Sequence, residues 1–200
     1  IERSIQYSYV VLDAGCGRGA PLLHQYQGKA QKLVGVDLVD FSASDNSADS
    51  QLINSNLANI PLESASVDLA FSRSVFEHLE HPDEVYAELS RILKPGAKLI
   101  VLTPNQYDYA SIISRLIPNK FHPFIVSKME GRKEHDVFPA YYRTNSKRSI
   151  KSLAARHGFT IESFDYYGQY PCYFMFHPIP FMIATAYEKV IIRYKFLKYL

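Results

Sequence analysis

The sequence predicts an α/β fold, a doubly wound and mostly parallel sheet with helices on both faces, and three observations predict it. Two apolar runs, Tyr9-Val10-Val11-Leu12 and Leu33-Val34-Gly35-Val36, each end on a carboxylate, Asp13 and Asp37. Between them lie a glycine-rich turn and a short helical pattern, the alternation that parallel pairing requires. Three later runs, 51–54, 67–72 and 97–102, repeat the strand signal with a helix pattern before the last.

Each element has its own warrant. After the glycines, Pro21 suits a first helical turn and Leu22, Leu23 and Tyr26 fall on one side. The polar stretch 41–50 reads as a surface loop before the third strand, Gln51–Asn54. Val67–Ser72 is the fourth strand. Pro82, Asp83 and Glu84 make a favourable helix start, Val85, Leu89, Ile92 and Leu93 give one apolar face, and Pro95-Gly96 stops the helix. Ala97–Leu102 is the fifth strand. A helix resumes at Ser146, with Ile150, Leu153, Ala154 and His157 on one face and Gly158 as its stop. Alternation of Phe159, Ile161 and Phe164 predicts a sixth strand over 159–167, and 181–200 reads as a terminal amphipathic helix.

A chain of 200 residues, 47% of them apolar, is expected to close one core as a single domain. Residues 9–105 would form its ligand-binding half and 106–145, irregular and rich in Tyr, His, Lys and Arg, a lid or acceptor-binding insertion. The net charge of +2 hides an asymmetry: residues 1–100 balance at −5 and residues 101–200 at +7. The second half could face an anionic substrate or surface, while the near-neutral total argues against nucleic acid as a partner. The two cysteines, Cys16 and Cys172, offer neither a disulfide framework nor metal-ligand spacing. No metal is expected, and a cytoplasmic setting is. The apolar stretch 170–192 is interrupted by His177, Pro178, Pro180, Glu188 and Lys189, which argues against a spanning helix. The basic C-terminus could instead make peripheral contact with the inner membrane face.

A doubly wound sheet binds ligands at the carboxyl ends of its strands, where Asp13, Asp37, Asn54–Asn56 and Ser72 fall. Gly15, Gly17 and Gly19 clear side chains from the first turn, so a ligand can approach the backbone N–H groups. Gly15–Ala20 also fits the G-x-G-x-x-A dinucleotide pattern, with Asp37 where a ribose-binding acid would stand, so the loop by itself leaves the cofactor open.

The remaining segments narrow the choice. Asp13-Ala14-Gly15-Cys16-Gly17-Arg18-Gly19 resembles the first motif of the class I S-adenosylmethionine methyltransferases, and Gly35-Val36-Asp37 their second. Asn56-Leu57-Ala58-Asn59-Ile60-Pro61-Leu62 is similar to the Asp-Ala-x-x-Leu-Pro-Phe segment of the group typified by ubiquinone and sterol methylating enzymes. Val67–Ser72 with Val75-Phe76-Glu77-His78-Leu79 resembles its fourth-strand segment, and Arg91-Ile92-Leu93-Lys94-Pro95-Gly96 the turn before its fifth strand. The resemblance implies a Rossmann-like methyltransferase sheet of six or seven strands and S-adenosylmethionine as cofactor. The family's helix before the first strand and its seventh, antiparallel strand have no clear counterpart, 173–177 being a weak option for the latter.

The same resemblance implies roles. Asp37, with Leu38 beside it, would accept the ribose hydroxyls, a task suited to a two-oxygen acceptor. Gly15, Cys16, Gly17 and Gly19 would pack against the methionine and ribose portion, with Asp13 helping to hold the amino group. Asn56 stands where the family has an Asp facing the adenine amino group, and its amide oxygen can still accept that bond. Leu57 would pack on the adenine ring, and Ser72 with Arg73 would line the wall near the methionine portion. Arg73 departs from the family's small polar residue. It is expected to turn toward a carboxylate such as Glu77 or toward an anionic acceptor.

Methyl transfer is an in-line displacement, accelerated largely by holding acceptor and donor in attack geometry. A base is needed only where the acceptor must lose a proton, and His78 is the leading candidate, ahead of His122 and His135. Tyr107, Tyr109, Tyr141, Tyr142 and Arg143 are candidates for the acceptor pocket. The expected acceptor is a small molecule, a glycan or a lipid-linked compound. Two alternatives stand beside this reading, a nicotinamide-dependent oxidoreductase and a methyltransferase-like binding protein without catalysis.

Overall fold

The computed structural model describes residues 1–42, 45–47, 49–108, 111–112, 138–167 and 177–194. They gather into two compact units, one of residues 1–76, 81–103 and 156–159, the other of 77–80, 104–155 and 160–200.

The first unit is built on five strands, β1 (Val10–Ala14), β2 (Lys32–Asp37), β3 (Ser50–Asn54), β4 (Val67–Arg73) and β5 (Leu93–Leu102). All pair in parallel in the order β3-β2-β1-β4-β5, with Leu12 opposite Val34 on one side and Ala70 on the other. The apolar runs of β1, β2 and β4 are continuous because these central strands are covered on both faces, whereas the edge strand β3 alternates Ser50 and Leu52 inward with Gln51 outward. Among its described residues are the α-helices α1 (Pro21–His24) and α2 (Pro82–Ile92). The step from β1 through α1 to β2 and the step from β4 through α2 to β5 run in opposite directions across the sheet. Right-handed crossovers therefore put the two helices on opposite faces. Tyr26 meets the fully buried Phe71 edge to face at 5.7 Å, and α2 buries Val85, Tyr86, Leu89 and Ile92.

Three details differ from expectation. Strand β5 begins at Leu93, directly after the helix, and Pro95-Gly96 lies within it, where the register against β4 shifts between Val67 and Leu69. Gly96, at φ +80°, supplies that irregularity, so the Pro-Gly pair shapes a bulge while the helix has already ended at Ile92. Second, residues 159–167 form no strand. Phe159 packs edge to face on Tyr86 at 6.0 Å, and Phe164 lies 5.5 Å from Tyr166. Alternation marks one half-buried face, and aromatic packing satisfies it as well as a ladder would. Third, the helix after the glycine turn is a single turn long.

Polar contacts close the first unit at both ends. Asp68 accepts from Val10 N at 2.9 Å and from Lys94 Nζ at 2.7 Å, tying the starts of β1, β4 and β5 together. Asp83 Oδ1 lies 2.6 Å from His157 Nε2 and Asp83 Oδ2 2.6 Å from Arg156, which fastens 156–159 to α2 and holds the Asp83 carboxyl below its ordinary range, the His157 hydrogen bond being the largest cause.

In the second unit, α3 (Lys147–Arg156, whose last residue joins the first unit) is capped by Ser146, whose Oγ accepts from Ser149 N at 3.1 Å. Its inward face carries Leu153 and Ala154, and Gly158 follows at φ +76° as expected for a helix stop. The last helix, α4, spans Pro178–Arg193, and Ile179 N donates to the His177 ring at its start. The rest of the predicted terminal helix, all but the last residue of the 173–177 strand option, most of the predicted lid, Tyr109, His122 and His135 lie outside the described residues.

Candidate functional site

The carboxyl ends of β1, β2 and β4 meet at the reversal of strand order, between β1 and β4. The turn after β1 folds back across β2: Gly15 N and Cys16 N both donate to Val36 O, at 2.8 and 3.2 Å. Gly17 N then donates to Asp37 Oδ2 at 2.7 Å. Only glycine fits at position 15, which sits at φ +87° and where a Cβ would stand 2.2 Å from Val75 Cγ2. At Gly17 the space a Cβ would occupy is empty to 4 Å, leaving the backbone open to a ligand.

The two strand-end acids, placed in equivalent sequence contexts, are treated differently. Asp37 accepts from Gly17 N on one oxygen and from Val39 N, at 3.3 Å, on the other. Each carboxylate oxygen retains a lone pair for a further donor. Asp13 is 1% exposed, and neither of its oxygens has a hydrogen-bond partner among the described residues. Burial, and then the charge of Asp37, raise its pKa to about 7. An unsatisfied buried carboxyl is costly unless something completes it, and an ammonium group would do so through charge and three donors. The same burial, with Asp13 and Asp37 adding to it, pushes the Cys16 thiol far up, so it is an inert packing group against Gly35.

The other sequence candidates divide. Gly19, at φ +71°, completes the turn. Leu38 is 58% exposed just beyond β2. Asn56 is exposed after β3, and its Oδ1 accepts from Ala58 N at 2.9 Å, so the oxygen expected to face a base is already shaping its own turn. Leu57 is buried. Ser72 departs from its expected place in the wall: its hydroxyl is buried and donates to Ala14 O at 2.7 Å, tying β4 to the end of β1. It supports the glycine turn from behind. Arg73 is exposed at the end of β4.

Sequence reasoning missed a clamp. Glu88 Oε1 accepts from Ile60 N at 2.6 Å, while Arg91 donates to Ile60 O at 2.9 Å and Leu62 O at 2.8 Å and pairs with Glu88 at 2.7 Å. Two side chains of α2 thereby hold the 56–62 segment by its backbone. The partners lie about 30 residues apart in the chain, so no local pattern marked them.

His78 belongs to the second unit. Its Nδ1 donates to Pro139 O at 2.8 Å, and its Nε2 lies 4.0 Å from Glu77 Oε1. Two of the aromatic candidates, Tyr141 and Tyr142, bind residues on either side of it. Tyr141 N and Tyr142 N donate to Glu77 O at 2.8 and 3.0 Å, Tyr141 OH donates to Glu80 at 3.3 Å, and the Arg143 guanidinium lies 5.3 Å from the Tyr141 ring centre. Tyr107 takes a different part, its carbonyl accepting from the Tyr187 hydroxyl at 2.7 Å.

This geometry is a nucleotide-type cradle with a cation-seeking carboxylate at its base. A model of the methyltransferase domain matches residues 12–101. Over these residues the chain is thus similar to a methyltransferase domain. A Mycolicibacterium smegmatis protein named "Probable S-adenosylmethionine-dependent methyltransferase" is 30% identical over 165 residues, 76% of this chain and 61% of that one. The 24-methylenesterol C-methyltransferase 2 of Oryza sativa subsp. japonica is 24% identical over 160 residues, 76% of this chain and 41% of that one. The chain thus spans between two fifths and three fifths of the length of these relatives. Among solved structures, the geranyl diphosphate C-methyltransferase of Streptomyces coelicolor A3(2) shares the fold at a TM-score of 0.50 and 18% identity, over 77% of this chain and 55% of that one. The Bacillus subtilis YcgJ protein shares it at 0.56 and 14%, over 76% and 62%. The first of these relatives is named for S-adenosylmethionine, and the orphaned Asp13 carboxylate and the open glycine turn fit that group.

Proposed function

We propose that the chain is a methyltransferase that moves a methyl group from S-adenosylmethionine to a small-molecule, glycan or lipid-linked acceptor by in-line displacement. The observation that carries the reading is the buried, unpartnered Asp13 carboxylate beside the backbone-anchored Asp37, at the foot of an open glycine turn. When bound, S-adenosylmethionine supplies a methyl carbon already activated by its sulfonium. The protein's share is positioning. Asp13 would take the amino group, Asp37 the ribose hydroxyls on its remaining lone pairs, and the backbone around Gly17 the close approach between them. Ser72 keeps Ala14, and with it the turn, in place. For a hydroxyl acceptor His78 is the candidate base, its ring held through Nδ1 by Pro139 O and with Nε2 4.0 Å from Glu77 Oε1.

Isoprenoid-derived acceptors are the first to try, because a sterol and a geranyl diphosphate methyltransferase stand among the related proteins. The test is calorimetric titration with S-adenosylmethionine, S-adenosylhomocysteine and NADH, followed by transfer of labelled methyl to a panel of prenyl diphosphates, sterols, glycolipids and sugars. Saturable binding of the two adenosyl compounds and label in one acceptor class are expected. Binding of NADH alone would overturn the cofactor assignment, and cofactor binding with no labelled product across the panel would overturn transfer to these acceptor classes.

A further inference from the structure

The α4 helix turns its polarity inside out. On its inward side Ala184 is buried, the Thr185 hydroxyl donates to Phe181 O at 2.8 Å, and the Tyr187 hydroxyl reaches Tyr107 O. Glu188, the helix's one acid, lies there too: burial, and then the neighbouring Asp108 carboxyl, raise its pKa. The outward side is apolar. Ile179, Met182 and Ile183 are 62, 68 and 66% exposed, and Val190 is exposed one further step along the same line. With Ala186 these positions fall within an arc of about 100° on a helix of 3.6 residues per turn. Lys189 borders the arc and Arg193 closes its C-terminal end, both exposed, and the sequence continues with Lys195 and Lys198.

An exposed stripe of large apolar side chains marks an interaction surface, and the charges beside it select the partner. A second copy of this chain would bring the same two cations to the interface with no acid on the stripe to answer them. An anionic bilayer answers both features, since the apolar side chains enter the acyl boundary while Lys and Arg meet the lipid phosphates. No helix among the described residues is long and apolar enough to cross a membrane, so α4 would lie in the interfacial plane. We propose that the outer face of α4, Ile179, Met182, Ile183 and Val190 with Lys189 and Arg193, docks the protein on an anionic lipid surface. The proposal is independent of the methyl transfer proposed above.

Vesicle flotation of the full chain tests it, with phosphatidylcholine alone against phosphatidylcholine mixed with phosphatidylglycerol. Binding is expected to the mixed vesicles and not to phosphatidylcholine alone, and to fall with added salt. Lys189→Gln with Arg193→Gln should weaken it roughly 25-fold, about fivefold for each charge near an anionic surface. Met182→Ser with Ile183→Ser should weaken it by more than about tenfold, because two exposed apolar side chains no longer enter the acyl boundary. All four side chains point away from the core, so thermal unfolding and S-adenosylmethionine titration should match the parent and exclude misfolding as the cause. Equal binding to both vesicles, no binding to either, or unchanged binding by either double variant overturns the proposal. So does a dimer in sedimentation that Met182→Ser with Ile183→Ser dissolves, because a second copy would then cover the face.

Discussion

Asp13 and Asp37 close adjacent parallel strands in the same pattern, yet the fold uses them in opposite ways. Asp37 spends two lone pairs on the backbone of Gly17 and Val39 and so fixes the loop before any ligand arrives. Asp13 spends none and is held, buried, near neutral pH. The difference lies in sheet position. β1 is central, with β2 on one side and β4 on the other, so its end is walled by Val36, Ser72 and the returning glycine turn. β2 is one strand nearer the edge, where backbone N–H groups of the turn are within reach. One acid builds the site and the other waits in it.

The largest expected effect erases the wall that makes Asp13 different. Gly15→Ala puts a methyl group against Val75 in a left-handed backbone, and should cost about 3 kcal/mol or more of unfolding free energy in denaturant titration. A loss under about 1 kcal/mol would show the turn to be plastic. Next, Asp37→Ala should weaken S-adenosylmethionine by about 1.5–3 kcal/mol in calorimetry, since it removes charged hydrogen bonds and releases Gly17 N; unchanged affinity would move the ribose elsewhere.

Asp13 predicts a pH signature. Its folded pKa of about 7 stands above the ordinary 3.8, so the folded chain keeps a proton that the unfolded chain releases. The stability this contributes is fully present below about pH 4 and is lost as pH rises through 7. Asp13→Asn should flatten that decline in unfolding measured as a function of pH. An unaltered slope would assign the decline to other groups. Ser72→Ala, which removes one buried hydrogen bond to Ala14 O, should cost about 1 kcal/mol of stability. Leu38→Ser, on a side chain already in solvent, should change stability by under about 0.5 kcal/mol; a larger loss would mean that Leu38 packs more than its exposure indicates.

Much of this site was legible before any fold was known. The runs ending at Asp13 and Asp37 announced strands because buried central strands need unbroken apolar sequence. The glycines announced a turn because a left-handed backbone and close approach both require the absence of a Cβ. Other features were not legible. That Ser72 would give its hydroxyl to Ala14, 58 residues away, depends on β4 landing beside β1. Pro95-Gly96 reads as a helix stop, and only the register of β5 against β4 made it a bulge. The Glu88 and Arg91 clamp joins α2 to a backbone segment some 30 residues earlier, and no local pattern encodes such a distance.

What the sequence determined by itself was the alternation of strands and helices, the glycine turn and the pair of acids, because each follows from the chemistry of residues near one another in the chain. The tertiary structure decided which acid is satisfied and which is left wanting, and which side of α4 faces outward. Those outcomes depend on what packs against each residue, and packing partners are set by long-range strand order and by helix docking.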